Sequence, residues 1–324
     1  MKQSVIQYLH TLVAHNVIGD KQFTRRYNGF IGELDFNEWF RLNRKWEQLY
    51  NGGFLVPAVA GTSALDHPVY FTTSGEEPEV YRDIYRRIAR LNCRALFFIR
   101  WDRSIPFSNW EKSRVGGIPG QLPVPRMACY RYRPEDDVFV PSSLAEMQHY
   151  FSDSPDELTD KVPHWVKARF SELLERFDEE AVVDLYVQRL IFDGYLGLKK
   201  VRGKPSDIDL LIKAKGTGRL LAFEVKEKDL SKKPPVGFGM DVPRMGFFAD
   251  FMKATGIDVY YIVKQINNQT ERKITAWRAI EMAGFIAHAE STVVEGGTGM
   301  RSDSSYNPTR ICREKHFRTL IRYF

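Results

Sequence analysis

Residues 206–228 constrain this chain more tightly than any other stretch. Ser206-Asp207-Ile208-Asp209-Leu210-Leu211-Ile212 and Arg219-Leu220-Leu221-Ala222-Phe223-Glu224-Val225-Lys226 are two β-forming runs that flank Gly216-Thr217, and Gly-X between such runs is the signature of a two-residue type II′ hairpin turn. With that turn, residue 215 faces 218, and the same register sets Asp209 opposite Glu224 and Asp207 opposite Lys226. Four ionisable groups then share one face. Ile208, Leu210, Ile212, Leu221, Phe223 and Val225 share the other, and Leu211 is the one large apolar residue out of place. Carboxylates facing each other across a strand pair repel. A divalent cation would offset them, and hard oxygen ligands suit Mg²⁺ or Mn²⁺.

These residues resemble the PD-(D/E)xK nucleases, the superfamily of many restriction endonucleases and archaeal Holliday-junction resolvases. The match is Asp209, a gap of fourteen residues, then Glu224-Val225-Lys226 as the ExK element. The resemblance implies that Asp209 and Glu224 bind metal, that Val225 adds its backbone carbonyl, and that Lys226 positions or activates the attacking water. Asp207 is the alternative family Asp, because Pro205-Ser206-Asp207 looks like a PD with an insertion; the cross-strand pairing favours Asp209. Upstream, Glu180, Asp184 and Gln188 are spaced i, i+4, i+8 and lie on one helix face. Asp184, ten residues before Gly194-Tyr195, is similar to the family's helix acid and is selected over Glu180 as a third metal ligand. Downstream, residues 240–254 have a helical pattern and 259–263 a buried-strand pattern, the order the family shows. Arg244 and Asp241 are the polar candidates on that helix, and neither matches a motif.

The resemblance covers about residues 177–264. It implies an α/β fold with a restriction-endonuclease-like mixed sheet flanked by helices, and an Mg²⁺- or Mn²⁺-dependent endonuclease acting on DNA, of the kind found in restriction, phage defence or mobile elements. The rival expectations are a non-catalytic DNA-binding or assembly subunit with a degenerate nuclease fold, and an RNA-directed nuclease. Family enzymes often dimerise to cut both strands, so a homodimer or a partner protein is the corresponding expectation.

Charge sharpens the polyanion reading. The 324 residues carry a net charge of +6, and the span from Tyr195 to Lys233 alone holds eleven Lys/Arg against five acids. Lys199, Lys200, Arg202, Lys204 and Lys228 flank the carboxylates as candidate DNA contacts, positioning a duplex through its phosphates without reading its sequence. Other chemistries lack their residues. Cys93, Cys129 and Cys312 are odd in number and far apart, which excludes a disulfide framework or a CxxC knuckle; the seven histidines show no HExxH spacing; Gly296-Gly297-Thr298-Gly299 has no P-loop lysine; and no GxSxG is present. No apolar run approaches the ~18–20 residues of a membrane span and the N-terminal stretch is too polar for a signal-peptide core, so the expected setting is cytoplasmic.

The rest of the chain reads as an N-terminal α+β domain over 1–155, assigned to substrate or partner recognition, and a nuclease-like domain over 160–324. Within the first, the spacing predicts amphipathic helices over 5–13 and 36–50, strands over 54–59, 69–72 and 95–99, and a helix over 79–91 carrying Arg82, Arg86, Arg87 and Arg90. Residues 103–126, rich in Pro and Gly, read as a long surface loop.

Overall fold

A computed structural model describes residues 1–43, 46–57, 64–151, 159–197, 205–231, 234–295 and 307–320. The chain is a mixed α/β protein with a large mixed sheet flanked by helices, and no helix among the described residues is long and apolar enough to cross a membrane. It divides into two compact units, one of Met1–Tyr27 with Gly53–Asp207, the other of Asn28–Gly52 with Ile208–Phe324. This differs from the 155/160 boundary read from sequence: residues 160–207 group with the N-terminal half, and 28–52 with the C-terminal half.

The first unit begins with α1 (Lys2–Ala14), whose Val5, Ile6, Leu9, Leu12 and Val13 are buried at helical spacing. It shares with the second unit α2 (Asp20–Asn43) and β1 (Trp46–Val56). Strand β2 (Val69–Ser74) is followed by α3 (Arg82–Ile88), which lies between the parallel strands β2 and β3 (Ala95–Trp101). A small hairpin, β4 (Glu111–Ser113) with β5 (Leu122–Val124), precedes β6 (Met127–Arg133) and β7 (Val138–Ser142), which extend the sheet antiparallel. Three helices follow: α4 (Leu144–Gln148), α5 (His164–Leu174) and α6 (Glu179–Arg189), the last continued by a π-helical segment, Leu190–Leu196. One sheet face buries Phe71, Phe97 and Ile99 with Met147, Ile191 and Phe192; on the other, Tyr70, Tyr85, Phe98 and Phe139 stack edge to face. Burial of both faces explains why β2 and β3 read as apolar runs rather than alternating ones.

Residues 103–126 are largely exposed, as a surface loop should be, but the segment contains the β4–β5 hairpin and is pinned to the unit at several points. Phe107 and Trp110 meet Tyr186 of α6, Tyr186 Oη donates to the Pro123 carbonyl at 2.8 Å, and a Cβ on Gly116 (φ +54°) would lie 2.3 Å from the Gly194 carbonyl oxygen. The segment from 36 to 50 also differs from expectation: the helix ends at Asn43, and residues from Trp46 onward run as strand β1, with Trp46 and Leu49 packed on a sheet core.

The second unit contains β8 (Ser206–Ala214) from Ile208 onward, β9 (Leu220–Lys228), β10 (Gly237–Asp241), α7 (Val242–Thr255), β11 (Asp258–Ile266), β12 (Ile274–Glu281), α8 (Met282–His288), β13 (Val294–Glu295), β14 (Pro308–Arg313) and β15 (Arg318–Thr319). The sheet order is β15-β12-β11-β9-β8-β1, with β9 and β11 parallel and joined through α7; β10, β14 and β13 form a small second sheet. The hairpin register is the one the alternation demands: Leu210 pairs with Phe223, Leu211 with Ala222, Ile212 with Leu221 and Lys213 with Leu220. Its turn is longer than a two-residue one. The Ala214 N–H donates to the Arg219 carbonyl, and Gly216 (φ 81°) and Gly218 (φ 63°) take the left-handed positions of a four-residue loop over 215–218, whose centre is that of the shorter turn. The apolar face packs Leu210, Ile212, Leu221, Phe223 and Val225 against Phe36 and Phe40 of α2. Leu211 is also fully buried because the opposite face has a core of its own, where Tyr261 of β11 meets Phe285 and Phe317. Strand β1 runs so close to β8 that a Cβ on Gly52 would lie 1.6 Å from the Ile208 carbonyl oxygen.

Candidate metal centre

The antiparallel ladder between β8 and β9 ends at Leu210 and Phe223. One residue further the strands are joined through a side chain, the Val225 N–H donating to Asp209 Oδ2 at 2.6 Å. That bond fixes the Asp209 carboxylate, whose side chain is 3% exposed, beside Glu224, which has no exposure at all. Asp207, two residues before Asp209 on the same side of the strand, joins them: Asp207, Asp209 and Glu224 each offer one oxygen, all within 4.8 Å of one another. Neighbouring oxygens on an octahedral Mg²⁺ with bonds of about 2.1 Å lie about 3 Å apart, so the three carboxylates would draw closer together to share one ion. The donor set is three carboxylates, the hard ligands Mg²⁺ and Mn²⁺ take.

Two cations of the chain already lie on Glu224. The Lys226 ammonium, on a side chain 42% exposed, is 2.8 Å from Glu224 Oε1 and 4.0 Å from Asp209 Oδ2. The Arg244 guanidinium, from the first turn of α7, donates through Nε to Oε1 at 3.1 Å and through Nη2 to Oε2 at 2.5 Å. Lys226 and Arg244 therefore offset the carboxylate repulsion that the sequence assigned to a metal ion. Asp241, the residue before α7, is bound by Asn307 Nδ2 at 3.0 Å and Thr309 Oγ1 at 3.1 Å. Lys228 extends the cation row two residues beyond Lys226. Desolvation pushes its amine below the ordinary lysine value; Asp241 and Glu224 oppose that shift, and Lys226 adds to it.

Of the expected site residues, Asp209, Glu224, Val225 and Lys226 come together, with Val225 contributing its N–H to Asp209 and its side chain to the core. Asp184 is not in this acidic group. It lies on α6 in the first unit, where Arg103 Nη2 contacts both its oxygens at 2.9 Å while Nη1 reaches Glu180 at 3.2 Å. The third carboxylate of the triad is Asp207, which the PD-like spelling had raised only as a replacement for Asp209. Lys199, Lys200, Arg202 and Lys204 lie outside the described residues, as does Gly296-Gly297-Thr298-Gly299. Arg244 was visible in sequence as a candidate, but an arginine in a helix's first turn carries no spacing signal that ties it to a carboxylate twenty residues earlier. Compared with protein-family models, curated proteins and solved structures, the chain finds no match.

Proposed function

We propose that this chain is a divalent-metal-dependent endonuclease that hydrolyses DNA phosphodiester bonds, built on a restriction-endonuclease-like fold around β8, β9, α7 and β11. The observation that carries the proposal is the convergence of Asp207, Asp209 and Glu224 where the hairpin ladder ends, with a partly exposed lysine ammonium against two of them. A bound Mg²⁺ or Mn²⁺ would lower the pKa of a coordinated water and neutralise charge on the phosphoryl oxygens. The Val225 N–H locks the Asp209 rotamer, so that ligand needs no reordering when an ion arrives. The Lys226 ammonium donates to the attacking water and holds it in line. Lys228, on the same side of β9, supplies a phosphate contact that positions the duplex.

The test is cleavage of supercoiled plasmid with Mg²⁺, Mn²⁺ or EDTA. Wild type cuts only with metal, and D209A and K226A fold normally and do not cut. Equal cutting by all three proteins, or none under any divalent metal, overturns the proposal. The Arg244–Glu224 pair favours one rival, a non-catalytic DNA-binding subunit, because it satisfies the buried carboxylate without metal; DNA binding indifferent to EDTA, with no cleavage, is its signature. Digestion of DNA and RNA side by side separates the two substrates.

A further inference from the structure

Arg244 and Glu224 are unequal partners. Glu224 is completely buried, whereas the Arg244 side chain keeps 18% exposure, so the arginine is the one with room to move. Its guanidinium carbon lies 4.9 Å and 4.5 Å from the ring centroids of Phe247 and Phe248, an apolar rest that keeps the group at the mouth of the site whichever anion it meets. A carboxylate forked by a guanidinium gives its two inner lone pairs to the arginine and leaves an ion only the outer ones. A divalent cation on the same carboxylate also repels a guanidinium a few ångströms away. Metal and arginine thus compete for Glu224, and the anion best matched to a displaced guanidinium fork is a phosphate.

Resting on the nuclease reading above, we infer that Arg244 is a latch: it holds Glu224 while no metal is bound and transfers to a substrate phosphate when a divalent ion enters. Metal binding and phosphodiester binding are then positively coupled, each tightening the other by the same factor. No bond is made or broken in the exchange; one charge-assisted pair replaces another.

The experiment titrates Mn²⁺ into the full chain and follows loss of the free-ion EPR signal, for wild type, R244Q and R244K, with and without a short DNA duplex, each protein's fold being checked by its melting curve. R244Q is expected to bind Mn²⁺ about tenfold tighter or more without DNA. R244K, which keeps the charge and loses the fork, falls between the two. The duplex tightens Mn²⁺ binding to wild type by a larger factor than to R244Q, in which only the direct attraction between metal and phosphate remains. Mn²⁺ affinities that are equal in wild type and R244Q, with a duplex effect of the same size in both, overturn the latch and leave the metal centre standing. Absence of Mn²⁺ binding in all three proteins overturns the nuclease reading itself.

Discussion

Replacing Glu224 by Gln removes the charge from a side chain with no solvent exposure and leaves the Lys226 ammonium and the Arg244 guanidinium facing a neutral amide. Removing one partner of a buried pair costs about 3–5 kcal/mol. Lys226 and Arg244 are 42% and 18% exposed, so water recovers part of that, and E224Q is expected to lose about 2–4 kcal/mol in EDTA. R244Q leaves Glu224 with Lys226 and forfeits two charge-assisted hydrogen bonds, about 1–3 kcal/mol net. In the double variant the amides at 224 and 244 face each other and only the Lys226 ammonium lacks its Glu224 partner, so the penalties overlap by about 1.5–3 kcal/mol. The assay is urea unfolding followed by tryptophan fluorescence, in EDTA, for all four proteins of the cycle, accepting the comparison only where the m-values agree. Additivity to within about 0.5 kcal/mol would refute the view that Arg244 is bound to Glu224 in the metal-free protein.

Other outcomes test the scaffold. The His10 imidazole is buried against Tyr27 and Ser171, and burial, with Lys167 pushing the same way, holds it at about 4 against an ordinary 6.5. The unfolded chain takes up that proton first, so this contribution is whole above 6.5 and falls by about 3 kcal/mol as pH drops through 6.5 toward 4. H10Q should flatten that part of the dependence of urea midpoints measured between about pH 7.5 and about pH 4.5; an unchanged slope refutes it. Asp193 is shared by Arg26, at 2.8 and 2.6 Å, and Arg189, at 3.3 Å, all three side chains being buried. D193A should cost about 3–5 kcal/mol by urea denaturation, and a loss under about 1 kcal/mol contradicts the assignment. G52A, which forces a Cβ to 1.6 Å from a backbone oxygen, should prevent accumulation of folded protein. G246A on α7, where a Cβ meets nothing within 4 Å, should stabilise by up to about 1 kcal/mol; the reverse order of melting temperatures breaks the account of β1 against β8.

The hairpin was legible because two local signals agree on it. Alternation of Ile208, Leu210 and Ile212 with the acids defines the faces, and the turn fixes the centre, which a four-residue loop over 215–218 shares with a two-residue turn. The triad was legible only in part. The register sets Asp209 opposite Glu224 and parity puts Asp207 on the same side, but that the ladder stops after Leu210 and that Asp207 comes within reach of Glu224 no local pattern records. Asp184 has the spacing of a functional helix acid, yet the arginine that takes its carboxylate is 81 residues away in sequence. The same limit misplaced the end of α2: Trp39, Phe40, Trp46 and Leu49 fit a helical period, and it is packing beside the distant residues Leu210 and Phe223 that draws Trp46 and Leu49 into a strand.

The central claim is that Asp207, Asp209 and Glu224 form a divalent-metal site. Crystals grown with Mn²⁺ and measured above its absorption edge test it most directly. The account predicts one anomalous peak within about 2.3 Å of an oxygen from each of the three carboxylates, with the Arg244 guanidinium withdrawn from Glu224. A map with no peak there, and Arg244 still forked on Glu224 at saturating Mn²⁺, would contradict it.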